Sequence, residues 1–437
     1  MNLKILTLIL LLPTGLCAQL ENQVNALVKE SGMAPGQLCF KAVDLASGTI
    51  ASHDPEKRIR PASTLKVLTC YAAMDVLGPD HVFLTRVGAS GRVNAEGVLI
   101  GNLIIEAGGD PALGSENFKE AYGAAPLISQ VAMALRQAGV KTIQGSICID
   151  ESIYEGPDIP EDWTWQDMGN YYAAGAHAFS YQENMFTVEL QSGPQAGSLT
   201  ALRKVSPELP GVYMVNEVRA ATISGDEAYF YSAPQMTVMT IRGEIPLSQK
   251  AFTVKGAMPH PAAVFKAQLE SSLEKMGIIC LGVSTDEKVA KDAEGSIMVE
   301  EYLRWESPRL EELIAHTLLT SDNLYAEHFT RHIALALGAN GSLSEGVDAI
   351  TAWAQEKGMD ISAIQIKDGS GLSRSNAVTA DFMVDLLSHL TVESYFPEFS
   401  LGLSIAGRTG GMKRIGKGTS IEGRLIGKSG YIEGARG

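Results

Sequence analysis

Between Gln37 and Asp54 the chain reads QLCFKAVDLASGTIASHD, two short runs of alternating apolar and polar residues around Ala46-Ser47-Gly48. Alternation on both sides of a turn predicts a β-hairpin. The rhythm changes at RPASTLKVLTCYAAMDVLGPD, which is helix-periodic from about Ser63 to Leu77 and stops at Gly78-Pro79. A hairpin feeding an apolar helix predicts an antiparallel sheet packed against helices. From about Phe83 to Asp286, short strand-like runs (VLIGNLIIEAGG, TIQGSICID, YMVNEVRAATI, QMTVMTIRGEIP) alternate with turns rich in glycine and proline. That pattern predicts one or two β-rich inserted domains. From about Val299 the text is helix-rich again, and it closes on the strand-like run SIEGRLIGKSGYIEGARG. The predicted class is α/β in the α+β sense. One discontinuous domain takes residues 19–82 and 287–437, with a β-rich insertion at 83–286.

Composition narrows the possibilities. Hydrophobic residues make up 45% and charged residues 19%, as in a folded chain. MNLKILTLILLLPTGLCAQ reads as a secretory leader: Lys4 is its positive end, Ile5 to Leu12 its apolar core, and Leu16-Cys17-Ala18 its cleavage site before Gln19. Residues 1–18 are therefore expected to be a signal peptide, and the mature chain to be exported to the periplasm. Leu16 directly before Cys17 argues against a lipidated cysteine. The apolar core is too short to span a bilayer and no later run is longer, so no integral membrane segment is expected. Cys39, Cys70, Cys148 and Cys280 are widely spaced without a CxxC or Cys/His metal pattern, and read as buried free thiols. A formal charge of −15 repels nucleic acid and anionic membranes, and favours a small or flexible substrate bound at a locally positive site.

Three short patterns carry candidate chemistry. Ser63-x-x-Lys66 places a hydroxyl and an amine on one helix face. A serine hydroxyl is a weak nucleophile unless a base takes its proton, and a lysine among Leu65, Val67 and Leu68 is desolvated toward that role. The bland alternative is a helix cap, and the same spacing recurs at Ser272 and Lys275 in an ordinary amphipathic helix. Ser321-Asp322-Asn323 offers a second hydroxyl for proton relay and a carboxamide for a substrate amide; an N-cap explains Ser321 equally simply. Lys428-Ser429-Gly430 lies on a strand-like run, where a cation and a hydroxyl hold a carboxylate and the glycine admits a substrate backbone. Its bland alternative is a strand end.

In this order the three patterns resemble the serine penicillin-recognising enzymes. The gap between Lys66 and Ser321 is too long for a plain class A β-lactamase, and the Glu-bearing loop of that class is not found. The chain instead resembles the class C low-molecular-mass penicillin-binding proteins, the D-alanyl-D-alanine carboxypeptidase/endopeptidase family, in PASTLK, EAGGDPAL, WTWQDMGNYYAAGAHAFSYQEN, SDNLYAEH and KDGSGLSRSN. The resemblance covers Gln37 to the last residue. It implies a β-lactamase/transpeptidase-like catalytic domain cleaving D-Ala-D-Ala of peptidoglycan stem peptides, and cross-links as well, without a cofactor or metal. Ser63 would be the nucleophile, Lys66 the general base and Ser321 the proton relay. Asn323, Lys428, Ser429 and Gly430 would bind substrate, and the backbone N–H groups of Ser63 and Tyr431 would form the oxyanion hole. Asp368, Ser370 and Arg374 would line the cleft or serve only a tight turn. β-Lactams would be covalent inhibitors. Ser429 stands where the family usually has threonine but keeps the hydroxyl. The family's sheet continues beyond this motif, so its last strands and closing helix are expected to be missing from a chain ending at Gly437. The rival readings are a β-lactamase and a non-catalytic peptidoglycan- or β-lactam-binding protein. His328 and His332, at i and i+4, have no third metal ligand in view, and the aromatics of residues 163–181 read as core or wall of the insertion.

Overall fold

The computed structural model describes residues 22–24, 26, 37–48, 50–119, 122–282 and 297–437. The expected leader and its cleavage site, and the expected domain junction near residue 286, lie outside them. The chain enters through the hairpin read from its alternation: β1 (Phe40–Val43) pairs antiparallel with β2 (Ile50–His53). Asp44 builds the turn, its carboxylate accepting from the backbone N–H of Ala46 and Ser47 while Gly48 takes φ 69°. A tight 3₁₀ turn over Ala62–Leu65 then runs into α1 (Lys66–Leu77). Val67 to Met74 are all buried, so this helix is covered on every side rather than along one stripe.

The chain next builds its β-rich part. Strands β3 (Leu84–Ala89) and β4 (Leu103–Glu106) are followed by helix α2 (Ala124–Gln137) and strand β5 (Ile147–Asp150). Then come β6 (Met185–Gln191), β7 (Ala201–Ser206), β8 (Phe252–Ala257), α3 (Pro261–Lys275) and β9 (Glu300–Glu306). One sheet has the order β9-β3-β4-β5 and another β7-β6-β8. In β6 burial alternates residue by residue, sending Phe186, Val188 and Leu190 into the core. Helix-rich text was expected from Val299, yet β9 is a strand antiparallel to β3. Its alternating Tyr302, Arg304 and Glu306 suit a half-buried strand, and helix periodicity begins only at α4.

The closing part stacks α4 (Leu310–Thr320), α5 (Asn323–Ala336), α6 (Leu343–Glu356) and α7 (Ala380–Leu390), with α5 packed directly on α1. Short antiparallel ladders follow: β10 (Ser404–Ile405) with β11 (Ile426–Gly427), and β12 (Tyr431–Ile432) with β13 (Ala435–Arg436). Buried side chains form two large clusters. One joins the sheets with α2 and α3; the other joins α1 with α4 to α7. Among the described residues no helix is long and apolar enough to cross a membrane.

Candidate active site

Two helix N-termini meet at the site. Lys66 is the first residue of α1 and Asn323 the first of α5. Lys66 is fully buried, and its ammonium donates to Ser63 Oγ at 3.2 Å, to the Ser370 carbonyl at 2.6 Å and to Asn323 Oδ1. Burial brings its pKa down to about 8, against the opposing pull of Asp368, Glu327 and Asp322. About a tenth of it is then free amine at pH 7, against about three parts in ten thousand for an ordinary lysine.

Backbone strain marks both hydroxyl-bearing segments. Ala62, just ahead of Ser63, has φ 47°, and Ser321 itself sits at φ 66° as the left-handed C-cap of α4. The N-cap of α5 is Asp322, not Ser321; its side chain accepts from the Tyr325 N–H. The Ser321 hydroxyl is thereby left to Lys428, whose ammonium donates to it at 2.9 Å and to the Ser429 carbonyl at 2.7 Å. Burial, then the charge of Lys66, brings the Lys428 pKa down to about 7. Each lysine thus donates to one serine hydroxyl, Lys66 to Ser63 and Lys428 to Ser321.

Gly430 lies against the nucleophile turn. A Cβ there would stand 2.8 Å from the Pro61 carbonyl and 2.9 Å from the Ser63 nitrogen, so any side chain would push this segment off the turn. Gly430 also exchanges backbone hydrogen bonds with Gly437, at 2.8 and 3.0 Å. A cleft of about 560 Å³ opens beside these groups, lined by Ser63, Asn323, Tyr172, Arg374 and Tyr431 among others.

A family model described as the D-Ala-D-Ala carboxypeptidase 3 (S13) family matches residues 20–437. The chain belongs to the D-Ala-D-Ala carboxypeptidase 3 (S13) family. Similar curated proteins include a D-alanyl-D-alanine carboxypeptidase of Actinomadura sp. (strain R39), 25% identical over 95% of this chain and 77% of that protein. Another is D-alanyl-D-alanine carboxypeptidase DacB of Haemophilus influenzae, 25% identical over 89% of this chain and 80% of that protein. Among solved structures, penicillin binding protein 4 of Haemophilus influenzae is similar in fold, with a TM-score of 0.76 and 24% identity over 91% of this chain and 84% of that one. The chain is a serine-type D-Ala-D-Ala carboxypeptidase of the class C low-molecular-mass penicillin-binding proteins.

Within this S13 chain, Ser63, Lys66, Ser321, Asn323, Lys428, Ser429, Gly430 and Tyr431 converge as one group. The KDGSGLSR residues separate. Asp368 is buried and accepts from Trp163 Nε1 and Asn376 Nδ2 and from the backbone N–H of Gly371 and Ser373, so it holds the loop rather than facing the cleft. Ser370 is buried too, and only its carbonyl reaches the site. Arg374 stands at the cleft rim, 3.2 Å from Glu433. Sequence reasoning missed Glu327, one helical turn after Asn323, which is buried and accepts from the N–H of Gly369 and Ser370. Its place inside the apolar run LYAEHF was the available signal. It also missed Tyr172, whose carbonyl accepts from Asn323 Nδ2 at 2.6 Å; a backbone contact leaves no trace in sequence. Trp163 is buried with its Nε1 on Asp368, whereas Trp165 and Tyr171 are half exposed. His328 sits between Ser180 Oγ and Tyr154 OH at 2.8 and 3.0 Å, and His332 packs edge-on to Phe83. Among the described residues Cys39, Cys70 and Cys280 are free thiols; Cys70 and Cys148 are buried, while Cys39 and Cys280 are partly exposed.

Proposed function

We propose that Ser63 is the nucleophile of this carboxypeptidase and Lys66 its general base. The observation that carries this reading is a fully buried lysine with pKa about 8 donating to Ser63 Oγ. The neutral amine takes the serine proton as Oγ attacks the carbonyl carbon of the penultimate D-alanine. The backbone N–H groups of Ser63 and Tyr431 hold the oxyanion, an arrangement worth about 3 kcal/mol per donor. The C–N bond then breaks as the Ser321 hydroxyl gives its proton to the departing D-alanine nitrogen and takes in its place the proton that Lys66 accepted from Ser63, which leaves Lys66 neutral again. Lys428 and Ser429 hold the terminal carboxylate, which also keeps Lys428 charged. Water then attacks the acyl carbon and gives a proton to neutral Lys66; the C–Oγ bond breaks, and that proton returns to Ser63 Oγ. Asn323 Oδ1 fixes Lys66 in the free site and turns to the peptide when substrate enters. Arg374 reads the peptide at the rim, while Asp368 and Ser370 shape the loop behind Lys66.

β-Lactams would acylate Ser63 in the same way and leave slowly. The run from Ile5 to Leu12 supports export to the periplasm with cleavage near Ala18-Gln19. The pairing of β9 with β3 supports an insertion running from residue 83 to about Glu306, inside a catalytic domain of 19–82 and the remainder to 437. Intact mass of the mature chain after incubation with benzylpenicillin tests the reading. A covalent adduct is expected on the wild type and not on Ser63→Ala; folded wild-type protein without an adduct would overturn it.

A further inference from the structure

In a chain of formal charge −15, residues 408–425 carry Arg408, Lys413, Arg414, Lys417 and Arg424 against the single carboxylate Glu422. All five cations are exposed, and among the described residues none of them forms an ion pair. Glu422 is turned inward on its own loop, accepting from the Gly418 N–H at 2.7 Å. The position of this loop matters as much as its charge. A Cβ on Gly411 would stand 2.3 Å from Ser429 Oγ, and one on Gly410 would stand 2.9 Å from the carbonyl of Leu319, two residues before Ser321. The loop therefore abuts the second and third motifs together, on the side of the cleft where Lys428 and Ser429 take the terminal carboxylate and the amine departs.

We propose that residues 408–425 form a docking surface for the carboxylates of neighbouring stem peptides in polymeric peptidoglycan, on the leaving-group side of the scissile bond. This rests on the role given above to Lys428 and Ser429. A free D-alanine leaving group ends at the Lys428 pocket and gains nothing from the loop. A leaving amine that belongs to a second stem peptide continues past the pocket, and that strand brings further carboxylates to the loop. Exposed cations of this kind act weakly one by one, and together as a salt-sensitive surface. The loop thus favours cross-linked wall over short soluble peptide.

Co-sedimentation of the full chain with purified sacculi, stripped of phosphate-bearing polymers, tests this. The wild type should bind, and binding should weaken about tenfold between about 0.02 and 0.2 M salt. The triple variant Lys413→Gln/Arg414→Gln/Lys417→Gln should bind about five- to tenfold more weakly. Amidating the sacculus carboxylates should remove the difference between the two proteins, and Glu422→Gln should tighten binding. Unchanged binding by the triple variant, or binding to equimolar phosphatidylglycerol/phosphatidylcholine vesicles but not to stripped sacculi, would overturn the proposal. Benzylpenicillin acylation is read on every preparation: it checks that the variants fold, and it reports on the Ser63 machinery separately. A wild type that sediments without being acylated sinks the reading of the site and leaves the docking surface standing.

Discussion

The site is built from two halves of different character. The helical half, Ser63 on the 3₁₀ turn that leads into α1, Lys66 on α1 and Asn323 on α5, sits in the core between helices buried on every side. Lys66 has three acceptors there, and Glu327 and Thr69 tie down the loop that supplies one of them. The strand half, from Lys428 to Gly437, is held by a two-residue ladder, one reciprocal pair of backbone hydrogen bonds and the close approach of Gly430 to the nucleophile turn. Burial sets a proton affinity on the first half. The second half needs room for substrate and is kept in place by a missing side chain. Proton affinity and close backbone approach are thus set in different kinds of local structure.

Breaking the helical half should cost most. Ser63→Ala is expected to lower carboxypeptidase turnover by about 10⁴-fold or more with an unchanged melting temperature, and Lys66→Gln by about 10³-fold, both read by D-alanine release. The two lysines also set a pH profile. In the proposed roles Lys66 would work as free amine and gain activity as pH rises through about 8, while Lys428 would hold a carboxylate only when charged and lose grip as pH rises through about 7. The profile of kcat/KM should therefore be a bell centred near pH 7.5, with apparent values that belong to the pair. In the profile of kcat the alkaline limb should move upward, because the bound carboxylate stabilises charged Lys428. A kcat/KM rising steadily to pH 10 would break this assignment.

Disturbing the strand half should cost less and leave stability alone. Gly430→Ala is expected to slow penicillin acylation about 10- to 100-fold by moving the strand off Ser63, with little change in melting temperature. Asp368→Asn sharpens the contrast from the other side. Turning one acceptor into a donor against four N–H groups should cost about 2–3 kcal/mol in denaturant unfolding. In denaturant unfolding Arg374→Gln should have the smallest effect, within about 0.5 kcal/mol, because its partner Glu433 is mostly exposed.

The legibility of this chain divides along the same line. The hairpin of β1 and β2, the end of α1 at Leu77 and the strands of the β-rich part were readable because each follows from local periodicity and turn chemistry. β9 was not, because seven residues beside a long helical stretch carry a weak period-two signal. The three motifs were readable in order. Which of their neighbours face substrate was not: Asp368 and Arg374 lie in one short loop, and one is sealed in the core while the other stands at the rim.

By itself, then, the sequence determined the chemical groups, their order along the chain, and the helix that carries Lys66, since these depend on residue type and spacing over a few positions; Lys428, expected on a strand, lies between β11 and β12. Only the tertiary structure decided that Lys66 would be stripped of water, that Ser321 would leave its helix cap to Asp322 and turn to Lys428, and that the basic loop at 408–425 would stand beside the third motif. Each of these rests on contacts between segments far apart in the chain, and desolvation and Coulomb interaction act through space, not along the backbone.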